Sequence, residues 1–357
     1  MDVETKMDLI KDFAEEILTE QELKNLFETN ANPLAYDGFE PSGIAPIHFG
    51  LLRATNLKNM LKAGIKFQLY LADYFAFINN KLGGNLENIK KAGNYFIEVW
   101  KACGIDIRKV KVVWASDIMG DIDYWDKVLR VSKEITINRA LRATTIMGRK
   151  AGEAQYIAQI FYPPMQVTDI FHMDIDICQL GMDQRRAHVL AREIAPKFKW
   201  KKPVAVHHHI ILGLQGLQVR GTKEETLLAS KMSKSQPKTC IYMHETFEEL
   251  KNKINSAYCP PKIIEGNPLF DYAKYIIFKE TDTILIERPA KYGGNLEIQS
   301  YDELCNFYRS GKLHPADLKL AIATELNKLI KPAREYFEKN KAAKELYEMV
   351  RGFQITR

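Results

Sequence analysis

Leu34-Ala35-Tyr36-Asp37-Gly38-Phe39-Glu40-Pro41-Ser42-Gly43 reads as a short apolar strand running into a loop of glycine, proline and serine. Residues 44–61 follow as a helix after Pro46, with Leu51, Leu52, Leu57 and Leu61 on its apolar stripe. A strand, a glycine-bearing loop and a helix N-terminus form the general layout by which an α/β fold holds a phosphate-bearing ligand. Outward from there, residues 67–73 form a second apolar run ending in Asp73, and residues 86–103 an amphipathic helix stopped by Gly104. Residues 110–115 are a third strand. Residues 175–180 are a fourth, delivering Gly181-Met182-Asp183-Gln184 at its C-terminal end, and residues 204–211 are the next. This alternation predicts a Rossmann-like, doubly wound parallel sheet with right-handed crossovers.

The segments between are helical in pattern. Residues 1–28 read as helix, with a cap at Thr19-Glu20-Gln21-Glu22 opening a second short one. Residues 118–160 read as a mostly helical insertion carrying Arg130, Lys133, Arg139, Arg142, Arg149 and Lys150. For each of these a solvated face is the commoner explanation, but together they are the best local candidate for RNA contact. Tyr162-Pro163-Pro164 starts a new helix, on which Gln166 and Asp169 share a face and Tyr162 lies one turn earlier. Past Pro237 the chain reads as helices at 245–258, 269–278, 301–310, 315–329 and 334–350, with a small hairpin across Gly293-Gly294. A domain of residues 1–240 and a smaller, mostly helical one of residues 241–357 are expected.

The chain has 357 residues, 46% hydrophobic and 27% charged, which suits a folded protein of two domains. A net charge of +6 is compatible with nucleic acid without requiring it. Five cysteines, odd in number, spread out and without a C-x-x-C pair, indicate neither a disulfide framework nor a zinc site and fit a reducing compartment. The acidic start Met1-Asp2-Val3-Glu4 lacks the apolar run of a secretory signal, no stretch is long enough to span a membrane, and a cytoplasmic location is expected.

Chemistry concentrates in Ser230-Lys231-Met232-Ser233-Lys234-Ser235. Two ammonium groups among hydroxyls suit a loop that grips a polyphosphate. His207-His208-His209 invites a metal reading, but neighbours on a strand point to opposite faces and cannot converge on one ion, so no metal site is assigned.

Several spaced stretches together resemble the tyrosyl-tRNA synthetase family in its archaeal and eukaryotic cytoplasmic form. They are Tyr36 to Gly43 (YDGFEPSG), Ile160 to Asp169 (IFYPPMQVTD), Asp176 to Arg185 (DICQLGMDQR), the K-M-S-K-S loop, Ala257 to Pro268 (AYCPPKIIEGNP) and His314 to Lys319 (HPADLK). The resemblance spans about residues 20 to 340 and implies a class I catalytic domain followed by an anticodon-binding domain. Tyr36 and Asp169 match the residues that hold the substrate's phenol. Tyr162, Gln166 and Gln184 match those around its ammonium and carboxylate. The resemblance places ATP on Gly38, Ser42, His48, Gly50, Gly181 and Asp183 and on Lys231, Met232, Ser233 and Lys234. It makes Lys231, Lys234 and His48 the catalytic set. It implies ATP as substrate with Mg²⁺ bridging phosphates, a homodimer, tRNA(Tyr) as partner, and His314 and Asp317 at the anticodon. Arg139 and Arg142 carry two readings, dimer interface or acceptor stem.

One motif departs from the family. Its H-x-G-H or H-x-A-Q sequence matches His48-Phe49-Gly50 in one register; in the gap-free register Pro46 stands where the first histidine belongs. Either way the second polar position is apolar, Leu51 or Phe49. His48 is favoured because it alone supplies a donor at a helix N-terminus. The implied reaction is attack of the tyrosine carboxylate on the ATP α-phosphorus, then transfer of the tyrosyl group to tRNA. The rivals are the tryptophanyl family, which shares fold and loop, and a catalytically weakened tRNA-binding paralogue.

Overall fold

The structure, a computed structural model, describes residues 1–148 and 156–356. Arg149 and Lys150, expected in the basic insertion, lie outside these residues. Six strands form one sheet in the order β1-β6-β5-β2-β3-β4. β2 (Leu34–Phe39), β3 (Lys66–Leu71), β4 (Lys111–Trp114), β5 (Ile177–Gly181) and β6 (Val204–His208) run parallel, and β1 (Ala14–Leu18) pairs antiparallel with β6. β2 sits centrally between β3 and β5, so the loop after Phe39 opens where the strand order reverses, the usual ligand crevice of such a sheet.

β1 corrects the expected N-terminal helix. Helices occupy Val3–Lys11 and Glu20–Thr29, the second opened by the anticipated Thr19/Glu22 capping box, but the chain between them is extended. Its acids find partners on β6 and just past its end: Glu16 meets His207 Nδ1 at 2.8 Å and Glu15 meets His209 Nδ1 at 2.9 Å. The three histidines diverge as strand alternation requires. His207 also contacts His188 Nδ1 at 2.9 Å, His208 contacts Gln179 at 2.7 Å, and His209 reaches Asp271 at 3.0 Å.

Three further boundaries differ. The helix expected to start at Tyr162 spans Ile157–His172, with Pro163 and Pro164 inside it. The helix packs on the helices Ile122–Lys133 and Arg185–Ile194 despite the two N–H groups its prolines lack. The C-terminal break expected between 329 and 334 is absent: one helix runs Pro315–Lys339 through Pro332, and Lys341–Arg351 follows Asn340. A helix, Lys223–Ser230, precedes the lysine-serine loop and is opened by a Thr222/Glu225 capping box. The expected hairpin is present as β7 (Ile284–Ile286) and β8 (Leu296–Ile298).

One apolar core runs from Ile10, Leu57 and Trp100 into Ile254, Leu326 and Phe337. The helices after residue 240 therefore share their core with those flanking the sheet, and a chain cut there would expose it to water. A second core, on Tyr36, Tyr124, Val128, Ile170 and Leu190, lies behind the sheet's ligand edge. Among the described residues no helix is long and apolar enough to cross a membrane.

Candidate active site

A cleft of about 320 Å³ opens over the C-terminal ends of β2, β3 and β5. Its closed end is made by the face of β2 that carries Tyr36 and Gly38 and by the helix Ile157–His172. On that helix Tyr162, Gln166 and Asp169, at spacings of four and three, are all buried on one side. Tyr36 is 1% exposed, and its hydroxyl has no hydrogen-bond partner among the described residues. Burial, aided by nearby Asp169, pushes that phenol well above its ordinary pKa. Asp169, also 1% exposed, accepts a hydrogen bond from Tyr124 at 2.9 Å. Burial raises its pKa to about 8, against the pull of the Tyr124 and Tyr70 hydroxyls.

Midway, Gln166 Nε2 donates to Gln184 Oε1 at 3.1 Å, and Gln184 Nε2 donates to the Ile146 carbonyl at 3.0 Å. This chain links helix, β5 turn and the segment before Gly148. Tyr162 donates to Glu40 at 2.7 Å. Glu40, which the sequence reading left without a role, is a hub: Asn79 Nδ2 donates to both its oxygens at 3.1 and 3.0 Å, and Lys81 lies 3.7 Å away.

At the open end the lysine-serine loop lies across the cleft. Lys231 Nζ is 2.9 Å from Asp183, and Lys234 Nζ donates to Ser42 Oγ at 3.0 Å, joining this loop to the one after β2. Burial alone would raise the pKa of Asp183, but the Lys231 ammonium holds it below the ordinary carboxylate range. Met232 is buried and anchors the loop in the core, while Ser233 and Ser235 share a hydrogen bond of 2.8 Å. Burial lowers Lys234 to about 7. It also lowers His48 to about 3, with the charges of Arg53, Lys234 and Lys231 adding to the effect, so His48 is a neutral imidazole.

His48 begins a π-turn, His48–Leu52, and faces the cleft. Pro46 and Phe49 also reach the cleft wall, but neither brings a polar group to it. Phe49 packs among Phe39, Phe96 and Trp100, and Pro46 forms a backbone bridge with Tyr242. Gly50 is a packing residue, because a Cβ there would lie 2.4 Å from Met243 Sδ. Gly181 shapes the site from behind, where a Cβ would lie 2.4 Å from Ile210 and 2.9 Å from Asp183.

Other expected site residues lie elsewhere. His314 caps the helix Pro315–Lys339, its Nδ1 accepting from Ala316 N at 3.2 Å, and Asp317 sits in that helix's first turn. Arg139 pairs with Glu193, and the carbonyl of Arg142 accepts from Arg186 at 2.6 Å. The sequence reading missed Tyr70, Tyr124, Glu40 and Arg53. Arg53 pairs with buried Asp37, whose pKa is raised to about 6 by burial despite that guanidinium. It also missed the C-terminal rim. There Thr356 Oγ1 donates to the Asn80 carbonyl at 2.5 Å and accepts from Gly83 N at 2.7 Å, and Ile355 packs against Gly43. Strand parity could have found Tyr70, which faces Gly38 across the ladder; no local signal marks the rim.

The family model for class I tRNA synthetases (W and Y) matches residues 28–331. The chain is 42% identical over 359 residues to the cytoplasmic tyrosine–tRNA ligase 1 of Arabidopsis thaliana, covering 100% of this chain and 90% of that protein. It is 45% identical over 342 residues to the tyrosine–tRNA ligase of Sulfolobus acidocaldarius, covering 94% of each. Its fold is similar to the crystal structure of tyrosyl-tRNA synthetase from Pyrococcus horikoshii complexed with L-tyrosine, with a TM-score of 0.90 and 40% identity over 98% of this chain and 100% of that one.

Proposed function

This chain belongs to the class I tRNA synthetases of the tryptophan and tyrosine group, and we propose how its cleft performs tyrosine activation. It is a tyrosine–tRNA ligase: tyrosine and ATP give tyrosyl-adenylate and pyrophosphate, and the tyrosyl group passes to tRNA. The observation that carries the reading is the polarity of one cleft. A buried carboxyl and an unpartnered phenol close one end, and two ammonium groups line the other.

The substrate phenol donates to Asp169 and accepts from Tyr36, while Tyr124 holds the Asp169 carboxyl in place. An indole offers only a donor, which disfavours tryptophan. Gln166 and Gln184 hold each other across the middle of the cleft, where the ammonium and carboxylate of the amino acid lie. Tyr162 acts there through Glu40. Asp183 receives the ribose, and Ser42, held by Lys234, lines the nucleotide path. The carboxylate oxygen then attacks the α-phosphorus in line. No protein nucleophile is needed, so positioning and charge stabilisation do the work. Lys231 and Lys234 meet the pyrophosphate, and neutral His48 donates to a phosphate oxygen. Mg²⁺ would enter with ATP as part of the substrate and offset phosphate charge beside the two lysines.

The tRNA reading places His314 and Asp317 at the anticodon, on a helical region beginning near residue 241. Ile122, Leu129, Ile137 and Ile157, 84%, 61%, 71% and 76% exposed, give the 118–160 region an apolar surface suited to a second copy of this chain. In that arrangement Arg139 and Arg142 sit at the interface or on the acceptor stem. A cytoplasmic location completes the reading.

Amino-acid-dependent ATP–pyrophosphate exchange tests it directly. Exchange should require tyrosine, and exchange driven by tryptophan, or none at all, would refute the assignment. His48→Ala should lower the single-turnover rate of adenylate formation on the order of 10²-fold while leaving tyrosine affinity little changed. An unchanged rate would remove His48 from the catalytic set.

A further inference from the structure

The phenol end of the cleft holds one polar group that the mechanism above does not use. Tyr70 lies on β3 opposite Gly38 of β2. A Cβ on Gly38 would lie 3.4 Å from Tyr70 Cδ1, so the ring packs directly over the glycine. The ring is 2% exposed and is held edge-on by Tyr36 and Phe75, with centroids 6.4 and 6.3 Å away. It lines the same cleft as Tyr36 and Asp169. Its hydroxyl is buried with no hydrogen-bond partner among the described residues. Burial, and after it the charge of Asp169, which lines the same cleft, pushes that phenol well above its ordinary pKa.

A buried hydroxyl is costly unless something completes it. Here two such hydroxyls, Tyr36 and Tyr70, flank one carboxyl. A phenol oxygen carries one proton and two lone pairs. The tally matches: the proton goes to Asp169, and each lone pair takes one hydroxyl. Tyr124 is already engaged with Asp169 and does not compete.

We propose that Tyr70 is a specificity-determining residue, the second hydroxyl donor to the substrate's phenol oxygen beside Tyr36. The proposal rests on the reading of this end of the cleft as the tyrosine pocket. Phenylalanine would leave two hydroxyls and a carboxyl unmet rather than one hydroxyl and a carboxyl, so Tyr70 adds to the rejection of the smaller amino acid.

The test is Tyr70→Phe, with exchange measured for tyrosine and for phenylalanine. The kcat/KM for tyrosine should fall roughly five- to tenfold, as for one neutral hydrogen bond. The kcat/KM for phenylalanine should not fall, so the ratio between the two narrows. The thermal midpoint without substrate is followed beside it, because the Tyr70 hydroxyl also favours the charged form of Asp169, and a change in stability alone leaves the ratio unchanged. Asp169→Asn serves as the reference. An unchanged ratio in Tyr70→Phe beside a collapsed one in Asp169→Asn overturns the role of Tyr70 and leaves the pocket standing. Unchanged ratios in both overturn the pocket as well. Should Tyr70→Phe fail to fold, Tyr70→Leu is judged by the same ratio.

Discussion

Lys234→Ala is expected to slow tyrosyl-adenylate formation by 10² to 10³-fold, on the order seen when one donor to developing charge is removed. Tyrosine binding should survive, because Lys234 contacts Ser42 and the face of Phe96, with its Nζ 5.0 Å from that ring, at the open end of the cleft. The departure in the histidine motif sharpens the expectation. Phe49 is core and Gly50 packs on Met243, so His48 is the one side chain of that stretch left to assist the two lysines. Pre-steady-state adenylate formation and equilibrium tyrosine binding decide the matter. A mild effect on activation would return the charge stabilisation to other groups.

The same lysine sets a pH dependence. In the free protein, burial and then the neighbouring charge of Lys81 hold Lys234 down at about 7, against the opposing pull of Cys240 and Glu40. A polyphosphate favours the ammonium form and raises that value on binding. Above about pH 7, ATP must therefore bring a proton with it, and its apparent affinity should weaken as pH rises, by up to about tenfold per unit. Below that pH the ammonium is already present and this slope vanishes. Lys234→Arg stays charged throughout and should flatten the profile. An ATP KM that does not change from pH 7.5 to 9 in the wild type would contradict this.

Above about pH 8, where Asp169 is ionised, Asp169→Asn should lower kcat/KM for tyrosine on the order of 10²-fold, the loss of a charge-assisted hydrogen bond in a buried site. Its effect on stability has the opposite sign. Burial raises the Asp169 pKa from 3.8 to about 8, so between those values the folded state holds a proton that the unfolded chain has released. Stability therefore declines as pH climbs from about 4 through 8 and stays reduced above it. Asparagine cannot titrate, so the variant should gain thermal midpoint relative to wild type at pH 9 and gain least at pH 4. A parallel loss of activity and of stability at pH 9 would mean that the carboxylate is a structural partner instead.

Much of this was legible in the chain. Strands β2 to β6 announce themselves as apolar runs ending in polar residues, because strands buried on both faces need little else. The lysine-serine loop stood out by its own density of ammonium and hydroxyl groups, whereas the roles of Tyr36 and Asp183 came from the family resemblance, since Tyr36 lies within β2 and reads locally as one more buried aromatic. β1 was not legible, since Ala14-Glu15-Glu16-Ile17-Leu18 has no strand-like alternation, and its glutamates are matched by His209 and His207 some 190 residues away. Pro163, Pro164 and Pro332 misled for a related reason: a proline's local cost is plain in sequence, while the packing that outweighs it is not.

The sequence by itself determined most of the elements, because periodicity and turn residues act over a few positions, and its spaced motifs named the candidate groups through their resemblance to a family. Only the tertiary structure decided their states. Desolvation holds His48 neutral, brings Lys234 near 7 and lifts Asp169 to about 8, and that depends on everything packed around them. Tyr70 belongs to the same class: in the chain it is one more aromatic of a buried strand, and it becomes a recognition group because the fold lines one cleft with it, Tyr36 and Asp169.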